Sequence, residues 1–175
     1  MSSKSKKGPV GLFPLCLAAL SVVAVIMFIL PQFSRTALNN DTLNLNGFKL
    51  AFGFKDVVNV PGSFYVFLPF LFGILTAAIL IALPFIKALK KKAGLIYITS
   101  ALLSLVCFTL MIVFLAAAKR VDAGGNIAHI YYFKNIIESS NKNILRGGFT
   151  AWFWLGTIFH LLAFAGSCLG AAKSR

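Results

Sequence analysis

Four long apolar runs dominate the pattern of hydrophobic and polar positions along this chain. They cover about residues 10–30, 63–86, 93–118 and 149–172, and none contains Asp, Glu, Lys or Arg. Each run is long enough for a helix to cross about 30 Å of hydrocarbon at about 1.5 Å per residue. The pattern therefore predicts four transmembrane helices. A cleaved signal peptide is the alternative for the first run, although its apolar core exceeds the usual length of about 7–15 residues.

A basic bridge joins the second and third apolar runs. Its four lysines are Lys87, Lys90, Lys91 and Lys92, and it contains no acid. A bridge this short requires the two flanking helices to be antiparallel. Lysines beside transmembrane helices are enriched on the cytoplasmic side. The bridge therefore predicts that both termini are cytoplasmic and that residues 31–62 and 119–148 form outer loops.

The distribution of charge agrees with this topology. The net charge is +13; the predicted cytoplasmic segments carry +9 of it without any acid, and the outer loops carry +4 together with all four acids. Only 12% of the residues are charged, whereas soluble domains have about 25%. We therefore expect contact with a bilayer whose inner leaflet is anionic. Because the basic residues form no folded basic face, the pattern argues against nucleic-acid binding.

The first outer loop contains a hairpin pattern. Apolar and polar residues alternate along Leu43–Leu50 around the dipeptide Asn46-Gly47, which is typical of a two-residue type I′ turn. In that register the leucines of both strands share one face with Phe48. We therefore expect a small β-hairpin with Asn46 and Gly47 at its turn; an irregular loop is the alternative.

The second outer loop contains a helical pattern. Apolar residues recur at helical spacing between Ile127 and Ile137, after a break at Gly124-Gly125. This spacing predicts a short amphipathic helix that lies in the membrane interface.

Small residues spaced by four positions occur in two of the predicted helices. They are Gly73 with Ala77 and Ala78 with Ala82 in the second helix, and Gly166 with Gly170 in the fourth. Small residues allow two helices in a membrane to approach closely. These pairs therefore predict packing faces, used either within the bundle or for dimerisation.

His160 is the only ionisable side chain, thiols aside, well inside a predicted span. An intramembrane ionisable group is a candidate functional site, for example a proton relay. The alternative is a neutral imidazole that bonds to a carbonyl or hydroxyl group on a neighbouring helix. Ser100 and Ser104 are expected to bond to the backbone of their own helix, which would require no functional role.

Motifs for catalysis and cofactor binding are missing from the sequence. There is no GxxxxGK[ST] or GxGxxG loop for phosphate, and His129 has no Cys or His at metal-ligand spacing. Ser167 lies two turns from His160, too far for a hydrogen bond, and no nucleophile elbow surrounds it. We therefore predict that the protein is not an enzyme and has no cofactor or metal.

In topology the chain resembles the claudin and peripheral-myelin tetraspans. The resemblance covers the whole chain. The first-loop signature of that family, a tryptophan followed by Gly-Leu-Trp and two cysteines, is missing here, because residues 31–62 contain neither Trp nor Cys. The element Gly47–Gly53 is also similar to one in small bacterial four-span proteins of unassigned function. Neither resemblance implies an activity.

Together these patterns predict an all-α membrane protein. Its single domain, residues 1–175, is a four-transmembrane-helix bundle with a small extracytoplasmic β-hairpin in the first outer loop. We expect a multi-pass protein of the cell membrane with a structural or interaction role, docking a membrane-protein partner or a second copy through small-residue faces and outer loops. The alternative is a small transport or channel protein, or an accessory subunit of one.

The predicted topology can be tested with single cysteines, after the three native cysteines are replaced by alanine. In intact cells an impermeant maleimide should label Asn141→Cys, whereas Lys91→Cys should be labelled only after permeabilisation, because a bilayer separates the two positions. Equal labelling of both in intact cells would contradict the topology.

Overall fold

Four long helices form the body of the structure, a computed structural model that describes residues 12–37, 42–55, 59–120 and 144–174. The helices are α1 (Leu12–Ile29), α2 (Gly47–Phe52), α3 (Phe64–Ala82), α4 (Lys87–Lys90), α5 (Ala93–Arg120) and α6 (Ala151–Lys173). The long ones, α1, α3, α5 and α6, are long and apolar enough to cross a membrane, as the apolar runs predict. The helix predicted between Ile127 and Ile137 lies outside the described residues.

The long helices form an antiparallel bundle. Each contacts two others, in the cyclic order α1, α3, α5, α6, and successive helices run in opposite directions. The short helix α4 turns the chain from α3 into α5. We call the end of the bundle with Lys87–Lys92 the lysine end, and the opposite end the sheet end.

A small sheet covers the sheet end. The strands are β1 (Pro31–Ala37), β2 (Thr42–Asn46), β3 (Gly53–Lys55), β4 (Asn59–Pro61) and β5 (Ile144–Phe149). Three form an antiparallel sheet in the order β2-β1-β5, and β3 pairs separately with β4. Because β1 directly follows α1 and β5 directly precedes α6, the central pairing holds segments from both long loops together.

The predicted hairpin turn at Asn46 and Gly47 is wrong. An antiparallel pair does follow the first helix, but it joins β1 to β2, with Phe33 opposite Leu45. Asn46 ends β2 and caps α2, since its side chain accepts a hydrogen bond from the Lys49 amide at 3.0 Å. Asparagine suits both a type I′ turn and a helix N-cap, so the local sequence was ambiguous.

Packing against the bundle favours the helical alternative. In α2 the residues Gly47, Leu50 and Ala51 are buried, and a Cβ on Gly47 would lie 2.5 Å from the Phe28 ring. The helix therefore places Leu50 and Ala51 in the core and lets the chain pass close to α1. Gly53 then leaves α2 with a φ of 90°, a conformation that favours glycine.

Aromatic side chains fix the sheet to the bundle. Phe33 of β1 and Phe153 of α6 are fully buried beside Phe149, and the Phe149 and Phe153 ring centroids lie 4.5 Å apart. Phe28 stacks on Phe70 at 4.6 Å. We call the buried set the sheet-end cluster: Phe28, Phe33, Leu45, Leu50, Ala51, Val66, Met111, Phe114, Phe149 and Phe153. Every long helix and three strands contribute to it.

Hydrogen bonds reinforce the same junction. Gln32 is 2% exposed, and its side-chain amide donates to the Met27 and Leu30 carbonyls at the end of α1. The Thr150 amide donates to the Gln32 carbonyl at 2.9 Å, and the Thr150 hydroxyl donates to the Pro31 carbonyl. The end of α1 and the beginning of α6 are therefore joined directly.

Substitution of Asn46 can distinguish a cap from a hairpin turn. Serine is as good an N-cap as asparagine but does not favour the positive φ of a type I′ turn. We expect Asn46→Ser to keep hydrogen-exchange protection of the Lys49 amide in mild detergent. Asn46→Ala should lose that protection and about 1 kcal/mol of local stability. Equal loss of protection in both variants would contradict the cap.

Candidate functional site

The middle of the bundle is built from small and polar side chains. Between the sheet-end cluster and a second apolar cluster at the lysine end, the buried residues include Ala24, Gly73, Ala77, Gly156, Thr157 and Ala163. Side chains of this size allow helix backbones to approach closely, which is the main source of helix association in lipid. The only ionisable side chain here apart from Cys107, among the described residues, is His160.

His160 belongs to α6, and its side chain faces α3. Its side chain is 5% exposed, and its Cε1 atom is 3.3 Å from the position that a Cβ on Gly73 would occupy. Gly73 also faces Val25 of α1. In the described part of the chain the imidazole has no hydrogen-bond partner, so the predicted bond to a neighbouring helix is not present. No described Asp, Glu, Lys or Arg faces the ring.

Several buried hydroxyls of the bundle are also unpaired in the described structure. The Ser100, Ser104, Thr76 and Ser167 hydroxyls are buried without a hydrogen-bond partner among the described atoms. The expected bonds of Ser100 and Ser104 to their own helix are therefore absent. Ser21 and Thr157 do bond in that way, to the Leu17 carbonyl at 3.3 Å and the Phe153 carbonyl at 2.8 Å.

The unpaired polar groups occupy successive levels of the bundle. Tyr97 and Gly170 are in contact near the lysine end. Ser100 on α5 and Ser167 on α6 lie three residues closer to the sheet end than Tyr97 and Gly170. His160 lies ten residues from Gly170 in the same direction, or about 15 Å. We call the set Thr76, Ser100, Ser104, His160 and Ser167 the polar column. It extends from just inside the lysine end to the middle of the bundle.

A cavity of about 450 Å³ opens at the lysine end. Its lining comes from α1, α4, α5 and α6 and from the residues that follow α3 and α6: Phe13, Leu83, Pro84, Lys90, Ala93, Tyr97, Gly170, Lys173 and Ser174. The cavity does not reach His160, because the contact between Tyr97 and Gly170 lies between them. Lys90 and Lys173 are exposed at its rim, and the Lys173 Nζ atom lies 5.7 Å from the Phe13 ring centroid.

The predicted packing residues take different positions in the bundle. Gly73, Ala77 and Gly170 are buried and Gly166 is half-buried, whereas Ala78 is exposed and Ala82 half-buried. A Cβ on Gly166 would meet Leu17 of α1, and a Cβ on Gly170 would lie 2.6 Å from the Tyr97 ring. The two glycines of the GxxxG spacing therefore face helices of the same chain.

The four lysines of the basic bridge are exposed, and α4 forms within them. Lys90 lines the cavity, whereas Lys87, Lys91 and Lys92 do not. Sequence reasoning did not anticipate that Lys90 and Lys173 border one cavity, nor that Gln32 caps α1. The available signal for the Gln32 cap was an isolated glutamine directly after an apolar run that ends in proline.

The described residues hold no group of three or more His, Cys, Asp or Glu side chains that could bind a metal ion. Comparison of the chain with protein-family models, with curated proteins and with solved structures found no match.

Replacement of Gly170 tests whether the GxxxG spacing serves packing within the chain. Gly170→Leu should lower stability by about 1–3 kcal/mol, because the new side chain would overlap the Tyr97 ring. The matched control is Ala165→Leu, an exposed position on the same helix, and it should change stability little. Thermal unfolding and size-exclusion chromatography in mild detergent provide the measurements. A change of oligomeric state without loss of stability in Gly170→Leu would indicate dimerisation instead.

Proposed function

We propose that this chain is a non-enzymatic, multi-pass protein of the cell membrane with a structural and interaction role. Both termini and the lysine end face the cytoplasm. The exposed lysines of the lysine end, Lys87, Lys90, Lys91, Lys92 and Lys173, support this orientation. At the sheet end, Phe64, Tyr65, Trp152 and Trp154 are exposed, where aromatic rings suit the interface between lipid and water.

The observation that carries the proposal is the sheet-end cluster. Because it joins every long helix to strands from both long loops, it closes that end of the bundle with tightly packed aromatic rings. A closed end suits a scaffold that presents a stable outer surface. It does not suit a pore that must pass water or ions through the same end.

The outward face of α3 is the surface that we assign to a membrane partner or a second copy. Ile74, Leu75, Ala78 and Ile81 are exposed there. Gly73, Gly166 and Gly170 already face helices of this chain, so they offer no surface to a partner. Ala78 is the small residue of this face, and it would let a neighbouring helix approach.

Site-specific photocrosslinking tests this role. A photoreactive residue at Ala78 should give one discrete protein adduct in cell membranes, and Ala78→Phe should remove complex formation without lowering thermal stability. The matched control is Leu102, which is 59% exposed on α5 and should give only lipid adducts. The same adducts from both positions, or none from Ala78, would overturn the proposal.

A second candidate function is transport, either as a small channel or as an accessory subunit of a transporter. The polar column favours it, because buried unpaired hydroxyls are usually satisfied by ordered water. The sheet-end cluster would still close one end of the bundle.

Flux measurements separate the two functions. Proteoliposomes that contain only this protein and a trapped pH-sensitive dye should show no proton flux above that of empty vesicles, for both the wild type and His160→Phe. A wild-type flux that His160→Phe abolishes would favour transport. Thermal unfolding of His160→Phe serves as the control for correct folding.

A further inference from the structure

The cavity at the lysine end combines apolar walls with two cations. Phe13, Leu83, Pro84, Ala93 and Tyr97 line its apolar walls, and Lys90 and Lys173 line it from different helices. Its volume of about 450 Å³ lies within the range of about 300–1,000 Å³ that is usual for small-molecule sites. A ligand that fits must have both an apolar part and a negatively charged part.

The described residues at this end carry positive charge without any acid. Five lysines are exposed there, Lys87, Lys90, Lys91, Lys92 and Lys173, and no described residue of this end is Asp or Glu. Lysines near a bilayer surface attract anionic lipid by about 1 kcal/mol each, so an anionic ligand is favoured here over a neutral or cationic one.

The arrangement of the two lysines adds a geometric argument. The Lys173 ammonium lies over the Phe13 ring at 5.7 Å, a cation–π contact that places the charge beside an apolar wall of the cavity. Lys90 belongs to α4, which directly precedes α5. The Ser174 hydroxyl lies beside Gly94, 3.0 Å from where a Cβ would be. Cations and a hydroxyl therefore surround the entrance, and apolar side chains form the interior.

We propose that this cavity binds one anionic phospholipid from the adjacent leaflet. The phosphate lies between Lys90 and Lys173, and an acyl chain follows the apolar wall formed by Leu83, Ala93 and Tyr97. The site depends on the proposed insertion in a bilayer, which the cysteine-labelling experiment tests separately, and it holds for either the scaffold or the transport role. Binding would join α1, α3, α5 and α6 at the end that lacks the sheet.

Native mass spectrometry of the full-length protein tests the site. Protein reconstituted with dioleoyl phosphatidylglycerol and released from detergent should retain one lipid, and with dioleoyl phosphatidylcholine it should retain none. Lys90→Gln combined with Lys173→Gln should weaken retention about tenfold or more. The matched control, Lys87→Gln combined with Lys91→Gln, removes the same charge from the same end but not from the cavity, and it should retain the lipid.

A second variant tests the cavity itself without changing charge. Ala93→Trp should fill the apolar part of the cavity and abolish retention, while circular dichroism and thermal unfolding without lipid stay close to those of the wild type. If this variant unfolds, the smaller substitution Ala93→Leu is used instead. It should cause a partial loss of lipid retention.

Three results would overturn the proposal. Equal loss in the two double-lysine variants would mean that lipid is attracted by the surface charge of this end as a whole. Equal retention of phosphatidylcholine would remove the selection for negative charge. Displacement of the lipid by millimolar glycerol 3-phosphate or inorganic phosphate would indicate a site for a free phosphate instead of a lipid.

Discussion

The contact between aromatic rings and sheet at one end of the bundle is the constraint on which the rest of the structure depends. Short strands are stable when an apolar face of the sheet packs against other elements, and here the apolar residues of the sheet rest on the ends of all four long helices. Phe33 and Phe149 face each other across neighbouring strands and also contact the helical core. Strands β1, β2 and β5, which belong to the two long loops, are therefore held to the bundle by one shared core. The bonds from Gln32 and Thr150 strengthen the same junction.

The other end of the bundle is organised differently. Small side chains bring the helices together in the middle, where Gly73 admits His160 and Val25. At the lysine end the bundle has a cavity lined by Lys90 and Lys173. The two ends therefore have different proposed roles. The sheet end, closed by aromatic rings, presents a stable surface, and the lysine end, with its cationic cavity, binds an anionic lipid. The polar column lies between them and remains the feature that a transport role would use.

The local sequence predicted the helices of this fold better than it predicted which residues contact one another. The four helices could be predicted because an uncharged run of this length has few alternatives. Asn46 could not be assigned in the same way, since it suits both a turn and a cap, and burial of Leu50 and Ala51 decided in favour of the cap. Ser100 and Ser104 were expected to bond to their own helix, yet their hydroxyls have no partner in the described structure. The course of the chain around Phe28 and Gly47 likewise depended on contacts that are distant in sequence.

The sequence by itself determined that four uncharged helices exist, which segments join them, and that lysine collects in the segments at one end, because length and charge are local properties of the chain. Only the tertiary structure decided which side of each helix faces its neighbours. These helices are apolar all round, so their periodicity does not reveal a buried face. The contacts of Gly170 with Tyr97, and the position of Lys90 and Lys173 at one cavity, arise only when separate helices pack against one another.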